Sequence, residues 1–300
     1  MLLCLFESTI DSMWILYSLL CALSDSVASL TNKKLVSNKQ DPLVVSLFIH
    51  GFGSASLLAI GMIASEKFIS LPLNALILII LTAASVAAAS VIILLALKKG
   101  DLSLIAPIQS ITPLMVLIIA VFFLSEKPKP IGLLGILLVV AGGILLDKRP
   151  NENILSIVAR IATFKPAILA AVAAALYALA SVFDKVGLKL VSVGVWIFYV
   201  FFFVFLFLAP IVLIKKRKDL YRLKEQKTLI ISSSVFTIAA IYLQLLALQT
   251  ALVTYVLSIK RLSSVFAVVM SYVFLHEAKA LHRLRGAVIM VAGAILIGLS

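Results

Sequence analysis

The stretch that decides the fold is residues 228–276, TLIISSSVFTIAAIYLQLLALQTALVTYVLSIKRLSSVFAVVMSYVFLH: 49 residues with two charges, Lys260 and Arg261. A helix crossing the hydrocarbon core of a bilayer needs about 20 mainly apolar residues. The stretch is therefore too long for one crossing and right for two with a tight turn between them. Similar intervals recur. Asp41 to Glu66 encloses 24 uncharged residues, Lys67 to Lys98 encloses 30, Asp101 to Glu126 encloses 24 and Lys129 to Asp147 encloses 17. Lys165 to Asp184 encloses 18 and Lys189 to Lys215 encloses 25. A first span from about Met13 to Thr31 is interrupted by Asp25, and a last runs from about Leu281 to Ser300. The spans expected are 13–31, 43–64, 73–97, 102–124, 130–146, 166–183, 191–214, 228–248, 252–275 and 281–299.

Composition agrees. Of the 300 residues, 63% are hydrophobic and 13% charged, against about 25% charged in soluble domains. The net charge of +13 would suggest nucleic acid in a soluble protein, but the basic residues sit in short loops and no nucleic-acid-binding motif is present. Backbone polar groups in lipid must be paired within a helix or a closed barrel, and spans this long and uniformly apolar are not barrel strands. The fold class expected is thus an all-α polytopic membrane protein. The first apolar run reads as a span and not as a cleaved signal peptide, because Glu7 and Asp11 precede it without any Lys or Arg. Cys4 and Cys21 read as neither disulfide nor metal ligands, and no cofactor is expected.

The chain repeats. A shift of 151 aligns 88–147 with 239–298 without a gap, matching Phe123 with Phe274, Glu126 with Glu277, Gly135 with Gly286 and Gly142 with Gly293. A shift of 152 matches Ala28-Ser29 with Ala180-Ser181 and Lys33 with Lys185. Two five-helix halves follow, 13–147 and 166–300, joined by a polar linker, 148–165. Five is odd, so the halves enter the membrane in opposite orientation. Such inverted repeats are common in secondary transporters, which hold substrate near the midplane between the halves.

A charge inside a spanning helix costs about 2.5–3.5 kcal/mol on insertion scales and is by default a functional candidate. Lys260 and Arg261 stand about 12 Å into the ninth span at ~1.5 Å per residue, near the middle of a ~30 Å core. Tyr255, Ser258, Ser263 and Ser264 make the stretch around them polar. Through the repeat, Lys260 and Arg261 correspond to Gln109 and Ser110, and Ser258 and Ser264 to Pro107 and Pro113. Both spans interrupt their apolar pattern at matching depth. The expected substrate site is Lys260, Arg261, Gln109, Ser110, Ser258, Ser264, Tyr255 and Asp25. An Arg fork and a Lys point charge in a poorly screened cavity favour a carboxylate or phosphate. The bland alternative is a salt bridge from the pair to Asp25 that only joins helices. His50, Tyr177, Trp196, Tyr199, Tyr242 and Gln244 are weaker lining candidates. Lys33, Asp184 and Lys185 read as helix-end groups that snorkel to the interface.

Gly132, Gly135, Gly142 and Gly143 in the fifth span, with Gly286, Ala292, Gly293 and Ala294 in the tenth, suit close helix packing in lipid. They are assigned to contacts between halves or, in a homodimer, between subunits. No HExxH, GxSxG or Walker A pattern occurs, so an enzyme or an ATP-driven pump is not expected.

The chain resembles the drug/metabolite transporter superfamily, in particular transporters with two EamA-type domains. The resemblance rests on Asn32-Lys33-Lys34-Leu35-Val36, on Ser258-Ile259-Lys260-Arg261-Leu262-Ser263 followed by Phe274-Leu275-His276-Glu277, and on Val291-Ala292-Gly293-Ala294. It implies ten helices in the cell membrane, a cavity lined by helices one to four and six to nine, and export or exchange of small metabolites. Related sugar-phosphate exchangers carry a Lys-Arg pair on the anionic group, which by analogy assigns that role to Lys260 and Arg261. Departures are the absent Trp-Gly of the first helix and Gln109, not a second cation, opposite Lys260. The reading is a secondary transporter for a small polar, anionic metabolite; a lipid-linked flippase and a non-transporting scaffold are its alternatives. Loops after the odd-numbered spans carry 19 Lys and Arg and those after the even-numbered spans 5, which puts both termini outside, whereas the resemblance implies both inside. A reporter fused to the C-terminus discriminates the two.

Overall fold

The computed structural model describes residues 2–63, 71–99, 108–147, 165–275 and 284–300. Pro107, His276, Glu277 and the linker 148–164 lie outside the described residues. The described residues form twelve α-helices: α1 Leu2–Ser37, α2 Pro42–Ile63, α3 Leu73–Lys99, α4 Thr112–Leu124, α5 Pro130–Asp147, α6 Lys165–Gly187, α7 Val193–Lys215, the short α8 Arg217–Arg222, α9 Lys227–Thr250, α10 Val253–Lys260, α11 Ser263–Leu275 and α12 Leu284–Gly298. No strand occurs among the described residues.

Among the described residues, seven segments are long and apolar enough to cross a bilayer: Met13–Asn32, Pro42–Ile63, Leu73–Ile93, Lys165–Gly187, Val193–Lys215, Lys227–Thr250 and Val253–Met270. Three more apolar helices are shorter, Thr112–Leu124, Pro130–Leu146 and Arg285–Gly298. The first helix runs past the expected end at Thr31, because nothing in the sequence breaks it before Asn38 and Lys39, where φ is 65°. Most of these helices are apolar on every side, as expected where the outer face meets lipid and the inner face meets other helices.

The ninth span is not one continuous helix. It breaks at Arg261–Leu262, where the backbone closes three-residue bonds, Arg261 N to Ser258 O (3.1 Å) and Leu262 N to Ile259 O (2.9 Å). The fourth span turns at Ser110–Ile111, with Ile111 N donating to Ile108 O (3.1 Å), one shift of 151 away. Pro113 stands just inside the restarted helix α4, a position where its missing N–H costs nothing.

The packing exchanges partners between the halves. α1 lies along α9 and α3 along α6, while α2 pairs with α7, α4 with α10 and α5 with α12. Under the repeat, the first pair maps onto the second and each of the other three onto itself, which is a pseudo-two-fold axis. The direction shows at α5–α12. A Cβ on Gly135 would meet Gly293 O at 2.6 Å, and one on Gly142 would meet Gly286 O at 2.7 Å. Rising numbers on one helix meet falling numbers on the other, so the equivalent helices cross antiparallel. The glycine faces of the two helices therefore meet each other within the chain.

At one end of the bundle the chain is tied down by polar contacts. Lys216 pairs with Asp41 at 2.6 Å, and Gln40 Nε2 donates to Arg222 O at 2.9 Å. The Asp41 carboxylate raises the Lys216 pKa above its usual value by accepting its hydrogen bond. The pair's contribution to stability is thus present around neutral pH and fades as pH rises through the raised Lys216 value. Because Lys216 stays partly exposed, Asp41→Asn is expected to lower the melting temperature by only about 1–2 °C at pH 7, in a thermal melt of the detergent-solubilised protein.

Candidate functional site

A cavity of about 600 Å³ runs through the middle of the bundle. Its wall takes residues from α1, α2, α3, α4, α6, α7, α9, α10 and α11. The breaks in the fourth and ninth spans both open onto it, and they bring in Gln109, Thr112, Lys260 and Arg261. Lys260 Nζ donates to Gln244 Oε1 of α9 at 2.7 Å. Arg261 Nη2 donates to Thr112 Oγ1 at 2.6 Å, and that hydroxyl donates in turn to Gln109 O at 2.6 Å. Lys260 is thus held within its own half, by α9, and Arg261 from across the pseudo-two-fold interface, by α4.

Four of the expected residues line this cavity: Lys260, Arg261, Gln109 and Asp25. The other four lie elsewhere. Ser258 is fully buried and its Oγ donates to Thr254 O at 2.7 Å. It is two residues from Lys260, which turns it ~200° around the helix. Leu257, three residues away, returns to the Lys260 face and lines the cavity. Tyr255 faces a different space: its ring stacks on Trp14 (6.2 Å) and its hydroxyl accepts from Lys129 N at 3.0 Å. Ser110 turns away from its neighbour Gln109; a Cβ on Gly143 of α5 would come within 2.8 Å of its Oγ. Ser264 is outside the wall, whereas Ser263 is in it.

The wall also holds groups read from sequence as weaker candidates or as interfacial. Asp184 does not snorkel to the surface: it lines the cavity and accepts from Trp196 Nε1 at 2.8 Å. Tyr177 and Gln244 are wall residues; Tyr242 and Tyr199 are not, Tyr242 being exposed on the outer surface and Tyr199 packed edge-on against Phe198. His50 is in the wall with its ring 4.9 Å from Phe201. Its Nδ1 lies 2.7 Å from Ser46 O, so that nitrogen donates. Thr82 and Thr237, unforeseen from sequence, carry buried Oγ1 atoms with no hydrogen-bond partner in the described structure. Asp25 and Asp184 line the same cavity as Lys260 and Arg261, so its wall brings acidic and basic side chains together.

A second cavity, of about 420 Å³, lies at the end of the bundle where α12 ends, beside Trp14 of α1. Trp14, Leu124, Glu126, Lys185, Lys189 and Tyr255 are among its lining. A septum of shared helices separates the two cavities: on α6 the consecutive Asp184 and Lys185 line different ones, as do Leu257 and Tyr255 on α10.

A central cavity lined by polar and apolar side chains, with turns at Ser110–Ile111 and Arg261–Leu262 in or beside its wall, thus lies between two pseudo-symmetric halves of a membrane-spanning chain. The chain belongs to the EamA-like transporter family, whose model matches residues 12–146 and again 164–299. It is a multi-pass membrane transporter of the drug/metabolite type. No curated protein matches it. A solved structure described only as a crystal structure of a protein is similar in fold, with a TM-score of 0.76, 13% identity and 95% of each chain covered.

Proposed function

We propose that the chain is a secondary transporter that carries a small polar metabolite across the cell membrane by alternating access, with the substrate's carboxylate or phosphate on Lys260 and Arg261. The observation that carries this reading is the placement of that pair at a helix break, in the wall of a central cavity of about 600 Å³. At such a break the backbone is irregular only where it lines a cavity, the pattern of transporter sites. The antiparallel crossing of α5 and α12 supports two inverted halves that rock about the shared axis. No ATP-binding pattern is present, so a gradient or exchange drives the movement.

Asp25 and Asp184 refine the substrate. A multiply charged anion would meet two carboxylates in the same chamber, whereas a molecule that also carries a positive or donor group has a partner at each end. Carboxylates with a second, cationic group are the favoured class. The test is counterflow in proteoliposomes loaded with candidate metabolites. Exchange of carboxylate-bearing solutes is expected; exchange confined to cations contradicts the assignment.

A further inference from the structure

The α9–α10 junction is held by two charges from outside it. Glu126 follows Ser125, whose φ of 54° ends α4 in a left-handed turn and directs the next residue back across the end of the bundle. The Glu126 carboxylate is buried, and both its oxygens accept from Val253 N at 3.1 Å. Leu252, the residue before α10, offers no side-chain cap. A carboxylate from the first half therefore caps a helix of the second half, where the N-terminal dipole favours negative charge. On the other side of the junction, Lys185 Nζ donates to Ala251 O at 2.8 Å and to Leu248 O. These are carbonyls at the C-terminal end of α9, where positive charge is favoured. Glu126 and Lys185 share the smaller cavity, and behind the junction stands the septum, with Trp196, Leu248, Val253 and Val256 all fully buried.

We infer that Glu126 and Lys185 form a clasp that keeps the central cavity shut at this end, and that the substrate path opens here when the clasp releases. The central cavity stops at Asp184, Trp196 and Leu257 on this side, and on the other it reaches Asn32 and Pro42 at the ends of α1 and α2. The smaller cavity is then the vestibule of the closed exit. The clasp has two satisfied states. Closed, the carboxylate and the ammonium each bind the backbone of the junction; released, they pair with each other in the vestibule and leave the junction's backbone groups to water. A device with two discrete polar arrangements is what a rocking carrier needs at a gate. This inference rests on the carrier reading, but its test needs no substrate.

The experiment places a reporter thiol behind the septum, Ser181→Cys, in a chain whose Cys4 and Cys21 are replaced by serine and alanine. Ser181 is a buried wall residue one turn from Asp184. A membrane-impermeant maleimide is applied to each face of reconstituted vesicles in turn. With the clasp intact, labelling through the face bearing the chain ends is expected to be the slower of the two. Glu126→Ala and Lys185→Ala should each raise it roughly tenfold, a shift of one decade in the open population, with labelling from the opposite face unchanged or slowed. Glu126→Gln retains one acceptor and guards against misfolding; it should give a smaller rise at an unchanged melting temperature. Equal rates in wild type and all three variants would overturn the clasp, and so would a rise through both faces together, which reports general loosening. Failure of counterflow with faces still labelling as expected would count against the substrate assignment and leave the clasp standing.

Discussion

Gly142→Leu is expected to leave little folded protein, and Gly142→Ala to cost about 3 kcal/mol, the upper range for overpacking. A Cβ there would sit 2.7 Å from Gly286 O and from Met290 N. Both are backbone atoms, which cannot swing aside as a flexible side chain does. In lipid no water-driven force presses helices together, so van der Waals contact of close backbones supplies much of the attraction that the substitution removes. The pseudo-two-fold makes the prediction stricter. Gly293→Ala should cost about the same, because its Cβ would lie 2.6 Å from Gly135 O and 2.8 Å from Val139 N. Gly298→Ala is the control: its nearest atom would be Ile15 Cδ1 at 3.5 Å, ordinary contact, and alanine favours the helix by up to about 1 kcal/mol. Thermal melts of the four proteins in one detergent check the series.

Lys260→Ala and Arg261→Ala are each expected to lower transport at least about tenfold while the protein still folds. A charge-assisted bond to a bound anion is worth about 1.5–3 kcal/mol, and each ~1.4 kcal/mol is a decade. Loss of Lys260 leaves the Gln244 amide facing the cavity, where water can replace the ammonium. Lys260→Arg should retain more activity than Lys260→Ala, since it preserves the charge, and its shortfall from wild type measures how far a point charge is required. Counterflow of an identified substrate, with the melting temperature as the folding control, reads all three.

The helices were legible because apolar runs between charges are the direct signature of spans, and the repeat was legible because Phe123, Glu126, Gly135 and Gly142 find partners at one constant shift. The exchanged pairing of α1 with α9 and α3 with α6 was not. Helices apolar on every side carry no stripe that says which neighbour they meet. The helix break at Arg261–Leu262 was masked by helix-compatible residues on either side, although Pro113 marked its counterpart. Within the site, helical geometry sorted the candidates: Lys260 and Leu257 share a face, Ser258 and Tyr255 do not. Asp184 was missed because charge near a span's end usually reaches water. Here Trp196 Nε1 holds it in the cavity wall, and no local pattern announces a partner 12 residues away.

The most direct measurement is ligand-induced thermal stabilisation of the purified protein, across carboxylates, phosphate esters, zwitterions and simple cations, for wild type and for Lys260→Gln/Arg261→Gln. A binder of the folded state stabilises by mass action, by about 2.7 kcal/mol at 100 times its Kd. The account predicts a shift with one or more carboxylate- or phosphate-bearing solutes that disappears in the double variant. Shifts from cations alone, no shift from any anion or zwitterion, or an anion shift that survives both substitutions would contradict it.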